Sequence, residues 1–121
     1  MIQIKFKGQR VDNKKWVYGY LYQSKKQSWI TDLINININT HRNFAWWEVI
    51  PETVGQFTGL KDCKGVDIYE GDIYHQGDLN ITYTVVWHDT GFKGKQNSST
   101  SYAGLEYWKD RIEVVGNIHN K

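Results

Sequence analysis

The sequence has one cysteine, one proline and one methionine in 121 residues. A lone cysteine excludes an internal disulfide framework and a paired-thiol zinc site, and it fits a reducing compartment. No run is long and apolar enough to span a bilayer, and no N-terminal stretch has the layout of a signal peptide. The chain is therefore expected in a cytoplasm, with no membrane partner. Charge of one sign is scarce too: fifteen Lys and Arg oppose thirteen Asp and Glu, a formal net charge of +2. That excess is too mild to demand a polyanion. Gly91-Phe92-Lys93-Gly94-Lys95 lacks the terminal Ser or Thr of a phosphate loop, and there is no nucleophile elbow. The four histidines, at 41, 75, 88 and 119, have no ligand partner at tight spacing. No catalytic, cofactor-binding or metal-binding residue is predicted. Cys63 reads as an exposed turn residue.

Aromatic side chains are abundant instead. Six Trp and eight Tyr, with eleven Gly, favour β structure over a helix bundle. Hydrophobic residues at 40% and charged residues at 23% are ordinary for a folded domain. The length suits one compact unit built from a β-rich N-terminal subdomain over 1–50 and a small β-barrel subdomain over 51–121.

The organising stretch is Val54 to Ile73. Val54, Gln56 and Thr58 alternate with Gly55, Phe57 and Gly59 at the two-residue period of a strand. Asp62-Cys63-Lys64-Gly65 fits a type I turn, with Asp accepting from backbone N–H groups and Gly closing the fourth position. Glu70-Gly71-Asp72 is a second tight turn, in which Gly71 can take a positive φ and Asp72 can bond the backbone just beyond it. Asp62, Gly65, Gly71 and Asp72 are read as structural turn residues.

The run Pro51-Glu52-Thr53-Val54-Gly55-Gln56-Phe57-Thr58-Gly59-Leu60, then Asp62, Gly65 and Ile68-Tyr69-Glu70-Gly71-Asp72-Ile73, resembles the signature of the YopX family of phage and prophage proteins. The opening IKFKGQRVDNKKWVYGYL and the closing Glu113-Val114-Val115-Gly116-Asn117-Ile118 are similar to the family's two ends. The resemblance implies a Src-homology-3-like small barrel in the C-terminal part and a bacterial host cytoplasm. It supplies no established activity, cofactor or catalytic residue. Family members usually continue beyond Gly-Asn-Ile with an Asn-Pro-containing tail, whereas this sequence stops at Lys121.

Elsewhere the period of two recurs. Ile2, Ile4 and Phe6 alternate with polar residues, and Gly8 is expected to end that strand. Trp16, Tyr18, Tyr20 and Tyr22 share one face of the next, with Val17, Gly19 and Leu21 opposite. Asn35 to Asn39 reads as an edge strand or extended loop. Ile81, Tyr83, Val85 and Trp87 share a face of the cleanest strand. Lys93 to Ser101 reads by composition as a mobile surface loop, and Leu105 to Trp108 as a short strand. The adjacent Trp46 and Trp47 should point to opposite faces.

So many large aromatics are hard to bury in one small chain, and surface Trp and Tyr are typical of protein interfaces. Trp29, Trp46 and Trp47 are the candidate interface. The first expectation is a non-enzymatic binding protein acting through protein–protein contacts, its partner a host or phage protein or a second copy. The alternative is a nucleic-acid-binding accessory protein using basic and aromatic residues on a β surface. An enzyme using the acidic turn or His88 ranks third.

Overall fold

A computed structural model describes residues 5–31 and 46–120. Asn35 to Asn39 and His41 lie outside the described residues. The chain is mainly β and divides into two compact units, residues 1–56 and 57–121.

In the first unit, β1 (Phe6–Gln9), β2 (Trp16–Gln23), β3 (Ser28–Thr31) and β4 (Trp46–Val49) form an antiparallel sheet in the order β4-β3-β2-β1. A short 3-10 turn, Pro51–Thr53, leads to β5 (Gly55–Lys61). The first residues of β5 pair with β1, Gly55 opposite Lys7 and Gln56 opposite Phe6. Arg10 bridges to Val49, and the Ile50 N–H donates to the Gln9 carbonyl at 2.8 Å. The Thr53 hydroxyl accepts from the Gln9 N–H at 2.9 Å and donates to the Ile50 carbonyl at 2.6 Å, which fastens the turn to β1. Ile30 and Val49 are fully buried, each contributing roughly 1.5–3 kcal/mol. Gly8 does not end β1 but lies inside it, because a Cβ there would meet Val49 at 3.1 Å and Ile30 at 3.2 Å. Close approach of these side chains to the backbone, rather than chain termination, explains that glycine.

In the second unit, the rest of β5 pairs with β6 (Asp67–Tyr69). β7 (Asp72–His75), β8 (Thr82–His88), β9 (Gly91–Gln96), β10 (Tyr102–Gly104) and β11 (Glu113–Asn117) form a second antiparallel sheet in the order β10-β9-β8-β7-β11. The core joins Ile68, Tyr74, Val85, Leu105 and Ile112, with Leu60, Tyr83, Phe92, Trp108 and Val114 packed against it. No closed barrel forms among the described residues; the strands make two antiparallel sheets.

Two expectations for this unit change. Lys93 to Gln96 belong to β9, paired with β8 over its whole length, and turn structure begins only at Asn97. Its polar composition misleads because Lys93 and Lys95 alternate with Gly94, where a side chain would overlap the Tyr74 hydroxyl. Leu105–Trp108 is a helical turn, α1, and not a strand. Four residues containing three apolar ones carry no period that separates the two forms, and Lys109 reaching Glu106 at 3.3 Å accompanies the helical geometry.

Candidate contact surface

The face of the first sheet that carries Trp16, Tyr18, Tyr20 and Tyr22 is set by the pleat of β2, which sends alternate side chains to opposite sides. Val17, Gly19 and Leu21 take the other side. Register extends the aromatic face across the neighbouring strands. Tyr22 stands opposite Trp29, and Trp29 opposite Glu48; Tyr20 stands opposite Thr31, and Thr31 opposite Trp46. Trp29 and Trp46 therefore join the tyrosines. Tyr18, Tyr20, Tyr22 and Trp46 are 47%, 44%, 58% and 41% exposed. The Tyr22 and Trp46 rings meet edge to face, 6.1 Å between centroids at 70°, a geometry favoured by the ring quadrupoles. Tyr22, Trp29 and Trp46 line an open, mainly apolar concavity of about 350 Å³.

Trp46 and Trp47 do face opposite ways. Trp47 pairs with Ile30 on the buried side of the sheet and is half-buried, with the Arg10 guanidinium 5.8 Å from its ring centre. Trp29 is also half-buried.

Charge is arranged around this face by the two hairpin turns. Lys14 and Lys15 lie between β1 and β2, held by the Lys14 N–H on the Arg10 carbonyl and the Lys15 N–H on the Asn13 side chain, both at 2.9 Å. Lys25 and Lys26 lie between β2 and β3, in a turn closed by the Ser24 N–H on the Gln27 carbonyl at 2.9 Å. All four lysines are exposed, and none makes an ion pair among the described residues. Lys7 sits 4.6 Å from the Trp16 ring centre, a cation–π contact. Beside the Lys14-Lys15 turn, the Arg10 side-chain hydrogen bonds hold the Asp12 carboxyl below its ordinary pKa.

The predicted turn residues occupy structural positions in the second unit. Asp62 is buried; one carboxylate oxygen accepts from the Lys64 and Val66 N–H groups, both at 2.9 Å, and the other from Val114 at 3.0 Å. The Gly65 N–H donates to the Asp62 carbonyl at 3.0 Å, and Gly65 has φ +84°. Gly71 has φ +93°. Asp72 accepts from the Tyr69 N–H at 2.8 Å, behind the turn, and from the Asn117 side chain at 3.0 Å. These two bonds join the end of β6 and β11 to the turn.

His75 is buried, with Nε2 3.1 Å from a Glu113 oxygen, while Nδ1 accepts the Gly77 N–H at 3.1 Å. Lys64 reaches the other Glu113 oxygen at 3.2 Å, and that hydrogen bond raises the lysine pKa. These contacts tie turns to strands. His88 is exposed and stacks on Tyr102, 3.9 Å between centroids. A second open concavity, about 360 Å³, is lined by Tyr107, Trp108, Asp110 and Arg111. Cys63 is exposed.

Sequence reasoning placed the β2 tyrosines on one face but nominated only tryptophans for contact. The signal was present in the opposing set, since small or aliphatic Val17, Gly19 and Leu21 suit an interior better than three phenols do.

A comparison with curated proteins found no match. The family model described as YopX protein matches residues 5–121. That match covers nearly the whole sequence, and the chain belongs to the YopX family.

Proposed function

We propose that this chain is a non-enzymatic binding protein of a phage or prophage, acting in the bacterial cytoplasm through the aromatic face of its first unit. The observation that carries the reading is the exposure of Tyr18, Tyr20, Tyr22 and Trp46 together on that face. Grouped exposed aromatics on a folded domain usually mark an interaction site. The non-enzymatic part is supported by the local tasks of the titratable groups. Asp62 and Asp72 bond backbone and Asn117, and His75 lies between Gly77 and Glu113. An open, Src-homology-3-like arrangement of the strands of the second unit belongs to the same proposal. The register irregularities in β5 between Phe57 and Lys61, and in β11 between Val114 and Gly116, support it, because bulges bend sheets toward closure.

A protein partner, from host or phage or as a second copy, suits the apolar concavity at Tyr22, Trp29 and Trp46. A nucleic acid is the second reading, favoured by how charge divides. Residues 1–56 carry eight Lys and Arg against four Asp and Glu, a net +4; residues 57–121 carry seven against nine, a net −2. The modest total hides a basic first unit. The test is affinity capture from bacterial lysate with the wild-type chain and a Tyr20→Ala/Tyr22→Ala double variant, sorting retained material by mass spectrometry and nuclease digestion. Loss of retained material in a folded variant is expected. Equal retention by both would show that the contact surface lies elsewhere.

A further inference from the structure

Resting on the reading that the aromatic face is the contact surface, we propose that β2 is a track for single-stranded nucleic acid. Bases stack on Tyr18, Tyr20 and Tyr22, and the backbone phosphates reach the lysine pairs at the two ends of the strand. Alternate residues of a strand stand about 6.5–7 Å apart along it, so the three phenol rings form a row along β2. All three are more than two-fifths exposed, and Trp46 and Trp29 widen the row at the Tyr22 end.

The cations stand where a passing strand needs them. Lys14 and Lys15 immediately precede β2, and Lys25 and Lys26 follow it after Ser24. The eight residues of β2 span roughly 26 Å, so the two pairs mark the ends of a basic–aromatic–basic path. Their ammonium groups are not committed to carboxylates among the described residues, whereas Lys61, Lys64 and Lys109 of the second unit pair with Asp67, Glu113 and Glu106. The net +4 of the first unit attracts a polyanion to that unit rather than to the acidic second one.

The same features select single strands over duplexes. A duplex hides the faces of its bases, and this surface offers flat rings. Every base has a π face, so little sequence preference is expected, and a site on one strand of sheet should lie near the short end of the range of about 4–16 nucleotides. An apolar protein segment would use the rings but leave the lysine pairs without partners.

The experiment is fluorescence anisotropy of labelled oligothymidylate and oligouridylate, about 12 nucleotides long, and of a duplex of equal length, titrated with the intact chain across salt from about 50 to 200 mM. Binding of the single strands with at least about tenfold preference over duplex is expected, weakening as salt rises. Lys25→Glu/Lys26→Glu should weaken binding about tenfold or more and flatten the slope of log affinity against log salt by about 1.4, since each phosphate contact on a single strand adds roughly 0.7. Tyr20→Ala/Tyr22→Ala should weaken binding about tenfold or more with the salt slope unchanged, because stacking releases no counterions. Circular dichroism confirms the fold of each variant. No binding of either single strand, or equal binding of duplex with no effect of the tyrosines, overturns the proposal. If the oligonucleotides fail while Tyr20→Ala/Tyr22→Ala still abolishes capture of a host protein, the nucleic-acid inference falls and the contact-surface reading stands.

Discussion

The Asp62 carboxylate accepts the backbone N–H of Val114, fifty-two residues further along the chain, at 3.0 Å. The same turn makes a second bond to that region, since the Cys63 N–H donates to the Ile112 carbonyl at 2.9 Å. A turn readable as local chemistry thus anchors the last strand of the second unit.

Removing that acceptor should be severe. Asp62→Ala leaves three backbone donors without their charged partner, and bonds to charged groups contribute about 1.5–3 kcal/mol each, though not additively. A loss of at least about 3 kcal/mol is expected in urea unfolding, with Asp62→Asn intermediate. A loss below about 1 kcal/mol would show that water replaces these bonds readily.

The two turn glycines should differ. Gly65 has φ +84° with open space around a would-be Cβ, while Gly71 has φ +93° and Asn117 Nδ2 3.3 Å from that position. Gly65→Ala should cost about 1 kcal/mol from backbone strain alone. Gly71→Ala should cost more, because it also displaces the Asn117 amide that donates to Asp72. Thermal melts of the two variants rank them directly, and the opposite order would count against this account.

The adjacent tryptophans separate binding from stability. Trp46→Ala removes an exposed ring and should change stability by less than about 1 kcal/mol. Trp47→Ala removes a half-buried ring packed on the Ile30 side of the sheet and should cost about 2 kcal/mol or more. Chemical denaturation of both, with sedimentation to follow self-association, gives the comparison.

Stability should fall at alkaline pH through Tyr74. Burial, with Tyr83 stacked 5.2 Å away, pushes its hydroxyl pKa above the usual 10.0. Below pH 10 both folded and unfolded forms hold the proton, so the residue adds no pH dependence. Above it the unfolded phenol ionises first, and stability drops by up to about 1.4 kcal/mol per pH unit from this group. Tyr74→Phe should flatten that decline. Because the Tyr74 hydroxyl is buried without a hydrogen-bond partner among the described residues, the substitution should be neutral or stabilising near neutral pH. Unfolding midpoints of both proteins across the alkaline range test both points.

The sequence by itself determined the features that depend on neighbours along the chain. The period of two put Trp16, Tyr18, Tyr20 and Tyr22 on one face of β2, and it turned Trp46 and Trp47 apart. Asp62 with Gly65, and Gly71, marked turns because a carboxylate near free N–H groups and a residue tolerant of positive φ are local requirements. Tertiary structure alone decided what depends on distant partners. Which face of β2 looks outward followed from Ile30 and Val49 being buried in the first unit. Polar 93–96 became a strand because β8 offered a full ladder and because Gly94 lies over Tyr74. Asp72 bonds backwards to Tyr69 and across to Asn117 because β11 passes beside it. Burial and long-range hydrogen bonds are properties of segments that meet in space, and no window of the sequence holds both partners.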